Sequence, residues 1–267
     1  MKTIIAGTDF SQSSLNACQY AAFLAQILNC KLVLFNLFEA PIMHSNTGLY
    51  GISYTSQRLL SEKNIDHLTI ELQKHFPKVK ISPFVTSGSF RQELENFTKI
   101  HQVEAAVMGL EAKTQIAKFI YGSHGLNIIG KIKTPVIIVP KNYKEHHLSK
   151  VLLAVDNNEK LQNASFEDFE NFLSQSKARL NVLHVRTKEE VFDPLLRELK
   201  INGEKKPIES IQAKDLQRGI KKYCLEGNID LITILSKKHG AFYNLFSESN
   251  TQRVAFTAKV PVMALHD

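Results

Sequence analysis

Lys2-Thr3-Ile4-Ile5-Ala6 begins the first apolar run of the chain, and Lys150-Val151-Leu152-Leu153-Ala154 repeats it 148 residues later. The next run keeps that spacing, with Leu32-Val33-Leu34-Phe35 returning as Leu180-Asn181-Val182-Leu183. Before each of these second runs, residues 13–28 and 163–176 carry apolar positions at helical spacing. Further on the offset is 126: Glu104-Ala105-Ala106-Val107-Met108 is answered by Asp230-Leu231-Ile232-Thr233-Ile234, and Pro135-Val136-Ile137-Ile138-Val139 by Pro261-Val262-Met263-Ala264-Leu265. Offsets that agree in pairs mark a duplication. Since 148 and 126 differ by 22, the second copy is shorter by that many residues between its second and fourth strands. The matching surplus in the first copy is residues 41–61, which Pro41, Asn46, Gly48 and Gly51 mark as a loop.

Each copy reads as five strands alternating with four helices, and continuous apolar runs such as 32–37 and 136–139 suit strands covered on both faces. The expected architecture is α/β: two tandem, doubly wound, Rossmann-like parallel sheets, residues 1–143 and 144–267, joined through the aperiodic polar segment 141–149. His146 and His147 in that segment read as a solvated pair, since no cysteine or carboxylate stands at ligand spacing. In doubly wound sheets ligands bind beyond the carboxyl ends of the strands where strand order reverses, here between strands one and four.

A formal charge of +7 favours anionic partners, but Lys and Arg are scattered and form no nucleic-acid arm, so no specific nucleic acid is expected. Three cysteines, Cys18, Cys30 and Cys224, are an odd number without CxxC spacing, which fits buried thiols in a reducing compartment. The opening apolar stretch is too short for a secretory signal, and no run approaches a membrane span. A cytoplasmic protein is expected.

Strand one of the first copy ends in Gly7-Thr8-Asp9-Phe10-Ser11 and strand four in Met108-Gly109, with Ala112 and Gly122-Ser123 following. Thr-Asp-Phe-Ser after the first strand, with a Gly-x2-Gly-x9-Gly-Ser spacing after the fourth, resembles the universal stress proteins in their fused two-domain form, over nearly the whole chain. The resemblance implies an adenine nucleotide alpha hydrolase-like fold, a stress-response regulator and an ATP-binding loop in which Ala112 replaces the middle glycine.

A phosphate needs converging backbone N–H groups, which glycines at 109 and 122 permit, and Ser123 can add a hydroxyl donor. The run 125–131 reads as the last helix of the copy, with its N-terminus toward the anion. His124 would either touch a phosphate or stand exposed at that helix start. Thr8 and Asp9 line the other wall of the crevice, where the resemblance gives Asp9 to the adenine or ribose, while an Asp after a strand also caps helices. Leu37 and Met108, placed at the ends of adjacent strands, would sandwich the base, although Met108 fits a core equally. Ala112 resists a positive φ at a cost of roughly 1 kcal/mol, which weakens the phosphate end.

In the second copy Gly109 maps to Leu235, Ala112 to Lys238, Gly122 to Glu248 and Ser123 to Ser249. No glycine is left, and Glu248 would repel a phosphate. Asp9 maps to Asn157, with Asp156 one residue away. The resemblance thus implies ATP, or another adenine nucleotide, with Mg²⁺, in the first copy and none in the second. Residues 41–61 would hang over the crevice as a lid, with Tyr50 and Tyr54 packing it down or stacking on a base, and His44 near the mouth. The apolar fifth strands, 136–139 and 262–265, would pair as an internal pseudo-dimer, with room for a further homodimer and an unidentified protein partner. No nucleophile, base and orienting acid stand at recognisable spacing, so at most slow ATP hydrolysis is expected. The alternative is a nucleotide-independent tandem scaffold.

Overall fold

Strands that are apolar on both faces need helices above and below them, and the chain supplies both layers. A computed structural model describes residues 1–38, 49–110, 134–155, 164–186, 198–236 and 259–266. The first half runs β1 (Thr3–Thr8), α1 (Gln12–Ile27), β2 (Lys31–Phe38), α2 (Leu49–His75), β3 (Ile81–Ser87), α3 (Phe90–Ile100), β4 (Val103–Leu110) and β5 (Val136–Pro140). The second runs β6 (Lys150–Val155), α4 (Ala164–Ser176), β7 (Arg179–Arg186), β8 (Glu198–Ile201), β9 (Glu204–Gln212), α5 (Leu216–Gly227), β10 (Leu231–Ser236) and β11 (Val262–His266).

The described strands form one sheet in the order β3-β2-β1-β4-β5-β11-β10-β6-β7-β9-β8. It is the mostly parallel α/β sheet expected, and in each half strand order reverses between the first and fourth strands. Only β5 with β11 and β8 with β9 run antiparallel. Because β5 and β11 pair with each other, neither fifth strand presents an open edge. One core packs α1, α2 and α4 on one face, through residues such as Tyr20, Ile65 and Phe169; the other packs α3 and α5 on the opposite face, through Leu94 and Ile220.

The ladders correct the first repeat offset. Thr8 pairs with Asn36, and Val155 pairs with His184; Ile4 pairs with Ala105, and Val151 with Leu231. Both neighbours therefore equate β1 with β6 at an offset of 147; continued along the sequence this matches Asp9 with Asp156, which, like Asn157, lies outside the described residues. Two apolar strings slide past each other freely, whereas a one-residue slip in a sheet turns every side chain to the wrong face.

Three further expectations change. Residues 49–61 are the start of α2, not loop; Ser61, Ile65, Leu68 and Leu72 form a helical stripe against the sheet, which outweighs the roughly 1 kcal/mol that Gly51 costs a helix. Residues 41–48, with His44, lie outside the described residues. Where the second copy should enter its third strand from a helix, β8 turns into β9 through Asn202 and Gly203, both at positive φ (51° and 78°), the signature of a two-residue hairpin.

The third change concerns residues 141–149, which pack on both halves through Tyr143 and Leu148, while His146 and His147 stay exposed as expected. Asn16 Nδ2 donates to the Pro140 and Tyr143 carbonyls at 3.2 and 2.6 Å, and Tyr143 packs edge-on to Tyr20. His146 stacks on Phe23, where partial desolvation holds its pKa below the ordinary value. His147 Nε2 lies 2.7 Å from Asp230 Oδ1. The segment thus grips both halves.

Candidate functional site

The reversal of strand order leaves β1 between β2 and β4, and the chain turns from β1 into α1 at that point. Ser11 caps α1 by accepting from Ser14 N at 3.3 Å, and Asp9 Oδ1 accepts from Ser11 N at 3.1 Å, so this carboxylate shapes the turn. Thr8 Oγ1 lies 3.2 Å from Ser14 Oγ and accepts from Phe10 N at 3.1 Å. Phe10 sits at φ 62°, an uncommon conformation for a bulky side chain, held by that bond and by its ring in the α1-face core. Thr8 is buried and Asp9 half-buried.

Side-chain direction decides what can meet a ligand. Gly7 pairs with Phe35, and Ala6 with Val107, which puts Gly7, Phe35 and Met108 on the α3 face. Leu37 shares that face. Leu37 and Met108 are not on adjacent strands, however, because β1 lies between β2 and β4. About 10 Å, two strand spacings, separates them, so they cannot clasp a ring from both sides. Gly7 is flanked instead by Phe35 and Met108, all three buried, while Leu37, one step beyond the Thr8–Asn36 pair, stays partly open level with half-buried Asp9.

Gly109 has a packing role. A Cβ there would come within 2.3 Å of the Ser13 carbonyl oxygen and 2.8 Å of Ser14 N, so the glycine admits the first turn of α1 against β4. Its missing side chain makes room for the helix on the face opposite Leu37 and Met108. Ala112, Gly122, Ser123, His124 and the run 125–131 lie outside the described residues, as do Lys238, Glu248 and Ser249.

Sequence reading passed over Ser14 and Asn36. Asn36 Nδ2 donates to the Thr8 carbonyl at 2.8 Å, while its buried Oδ1 has no partner among the described residues. The signal was available: a polar residue inside the otherwise apolar run 32–38 is expected to be tied down. Tyr54 packs edge-on to Phe38, with its hydroxyl 3.2 Å from Ser87 Oγ, in the packing role expected of it. A cavity of about 440 Å³ opens between α1 and α2, lined by Phe10, Leu15, Gln19, His67 and Leu72, on the face away from Leu37 and Met108.

The second half differs at one of these places. Gly7, Leu37 and Met108 correspond to Ala154, Val185 and Ile234; Gly7 and the core residue Met108 are as buried as their counterparts, and only Leu37 is more open than its own, Val185. Gly219 brings α5 so close that a Cβ on it would lie 2.4 Å from Val185 Cγ1. Burial pushes the Cys18 thiol, behind Thr8, up to about 12, which leaves it no nucleophile. Among the described residues no group of three or more His, Cys, Asp or Glu could hold a metal ion, and no helix is long and apolar enough to cross a membrane.

Residues 1–140 match the universal stress protein family. A universal stress protein from Archaeoglobus fulgidus DSM 4304 has a similar solved structure, at 15% identity and TM-score 0.69 over 99% of this chain and 96% of that one. A functionally unknown protein from Pseudomonas aeruginosa PAO1 is 12% identical, at TM-score 0.59 over 100% of this chain and 92% of that one. At such identities the likeness establishes the fold alone. No curated protein matches the sequence.

Proposed function

Because this chain belongs to the universal stress protein family, we propose that residues 1–143 form a domain that binds an adenine nucleotide, and that residues 144–267 form a second domain that does not. The observation that supports this reading is Leu37, partly open beside Asp9 at the strand ends of the first half, against its counterpart Val185, which Gly219 lets α5 bury in the second. In this reading a purine ring lies on Leu37 with Asp9 toward its sugar. The phosphate-binding role of Gly122, Ser123 and His124, with Ala112 as a weak point and Mg²⁺ accompanying the phosphates, rests on their spacing and the family pattern. The protein then serves as a cytoplasmic stress regulator whose bound nucleotide alters a surface seen by a protein partner. ATP supplies the anion and the base, hydrolysis is slow at most, and this chain's own groups hold and orient rather than react.

A second reading has its own observation. Gly109 is required by the approach of α1 with no ligand present, so a scaffold with no use for nucleotide would retain it. Thermal denaturation of the full chain with ATP and Mg²⁺ separates the two. Ligand at about a hundred times its Kd adds roughly 2.7 kcal/mol, a shift of several degrees. The regulator requires that shift, and requires Asp9→Ala and Gly122→Glu to remove it. No response to any adenine nucleotide leaves the scaffold.

A further inference from the structure

The first turn of α3 carries Glu93, whose Oε2 accepts a hydrogen bond from Thr86 Oγ1 at 2.8 Å. Thr86 stands opposite Leu37 in the β2–β3 ladder. The helix position itself can be located through the other half. Glu93 corresponds to Gly219 at the 126-residue offset, and Leu37 to Val185 at 148. A Cβ at Gly219 would touch Val185, so by the same geometry position 93 lies over position 37. In the second half the glycine lets α5 close on Val185, only 3% exposed. In the first half a half-buried carboxylate stands there, and Leu37 keeps part of its surface open.

Thr86 commits one carboxylate oxygen, which orients the other as a hydrogen-bond acceptor. Resting on the nucleotide reading above, we propose that Glu93 is a specificity-determining residue: its Oε1 accepts an N–H from the exocyclic 6-amino group of a purine lying on Leu37. Asp9, at the end of β1, and Thr86, in β3, are about 10 Å apart, two strand spacings, which leaves the length of a base and its ribose between the two carboxylates. Asp9 then meets the sugar and Glu93 the far edge of the base. A 6-oxo purine such as hypoxanthine turns an oxygen toward Glu93 and leaves a desolvated charged acceptor facing another acceptor. Thr86 acts as the positioning residue that fixes the carboxylate.

The test is competitive binding of ATP and ITP, each with Mg²⁺, to the full-length protein. Wild type should prefer ATP by about tenfold or more, the size of one hydrogen bond to a charged group. Glu93→Gln, whose amide can donate or accept, should bring the two within about twofold, and Thr86→Val should fall between. The ratio of ATP to ADP affinity should stay unchanged in both variants. A wild type that does not discriminate, or a Glu93→Gln protein that binds ATP and keeps the full preference, overturns the role of Glu93 and leaves the nucleotide reading standing. A wild type that binds no purine nucleotide overturns both.

Discussion

At position 104 of the first half and position 230 of the second, the same kind of group, a buried carboxylate at the foot of the fourth strand, is satisfied in different ways. Glu104 meets Lys2 Nζ through Oε2 at 2.6 Å, while its buried Oε1 lacks a partner among the described residues. Asp230 accepts from Ser149 N and Lys150 N through Oδ2, at 2.7 and 2.8 Å, and holds His147 through Oδ1. The shorter acid in the second half has been turned to anchoring the connecting segment. At the other end of the same strands the contrast continues, with Gly109 against Leu235, and Glu93 over Leu37 against Gly219 on Val185. The duplicated skeleton of apolar strands is thus kept, while polar and small positions at its ends are divided: the first half leaves Leu37 partly open beneath Glu93, and the second closes Gly219 on Val185 and uses Asp230 for attachment.

The largest effect should come from the glycine at the fourth strand. In Gly109→Val, side-chain carbon would replace the room taken by the Ser13 carbonyl, 2.3 Å from the Cβ position, and backbone cannot yield as a flexible side chain does. The expected loss is at least about 3 kcal/mol, at the upper end of overpacking costs, read as a fall in the urea midpoint. Should Gly109→Val unfold with wild-type stability, α1 does not press on β4, and the contrast with Leu235 loses its structural meaning.

A middle-sized effect should separate the two carboxylates. Asp230→Ala orphans two backbone N–H groups and releases His147, at a cost of about 2 kcal/mol. Glu104→Ala removes an acid that is only half satisfied and frees Lys2, whose side chain is 38% exposed, into water, so its cost should stay under about 1 kcal/mol. Equal losses in urea denaturation would mean that the two acids have equivalent roles.

Much of this division could be read from the residues, and the failures have physical causes. Runs such as Leu32 to Phe35 and Val136 to Val139 announced buried strands, and their pairing by offset announced the duplication, because burial on both faces tolerates only apolar side chains. Ile4-Ile5-Ala6 against Val151-Leu152-Leu153 carries no polar marker of register, so the one-residue slip was invisible until the ladder faced Thr8 with Asn36. Strand order, which no local pattern encodes, separated Leu37 from Met108. Asn202-Gly203 was a legible turn signal that the expectation of a helix overrode. Tyr143, His146 and His147 find their partners, Tyr20, Phe23 and Asp230, far along the chain, and a polar aperiodic string gives no sign of such contacts.

The smallest effect concerns alkaline stability. Burial pushes Cys18 up to about 12 and Cys30 to about 11, and it raises the phenols of Tyr20 and Tyr143; all four belong to the first half or to the segment packed on it. In the second half burial likewise pushes Cys224 up to about 12, and Tyr223 is raised by burial first and by its bond to Glu209. An unfolded thiol releases its proton near its ordinary value of 9.0, so above about pH 9 the unfolded chain binds fewer protons than the folded one. The stability contributed by these buried neutral groups is therefore complete below about pH 9 and declines as pH rises toward 12. With more such groups on its side, the first half should open first. Thiol labelling at stepwise higher pH, read by peptide mass, should modify Cys18 and Cys30 before Cys224. The reverse order would make the second half, not the first, the weaker part of the sheet.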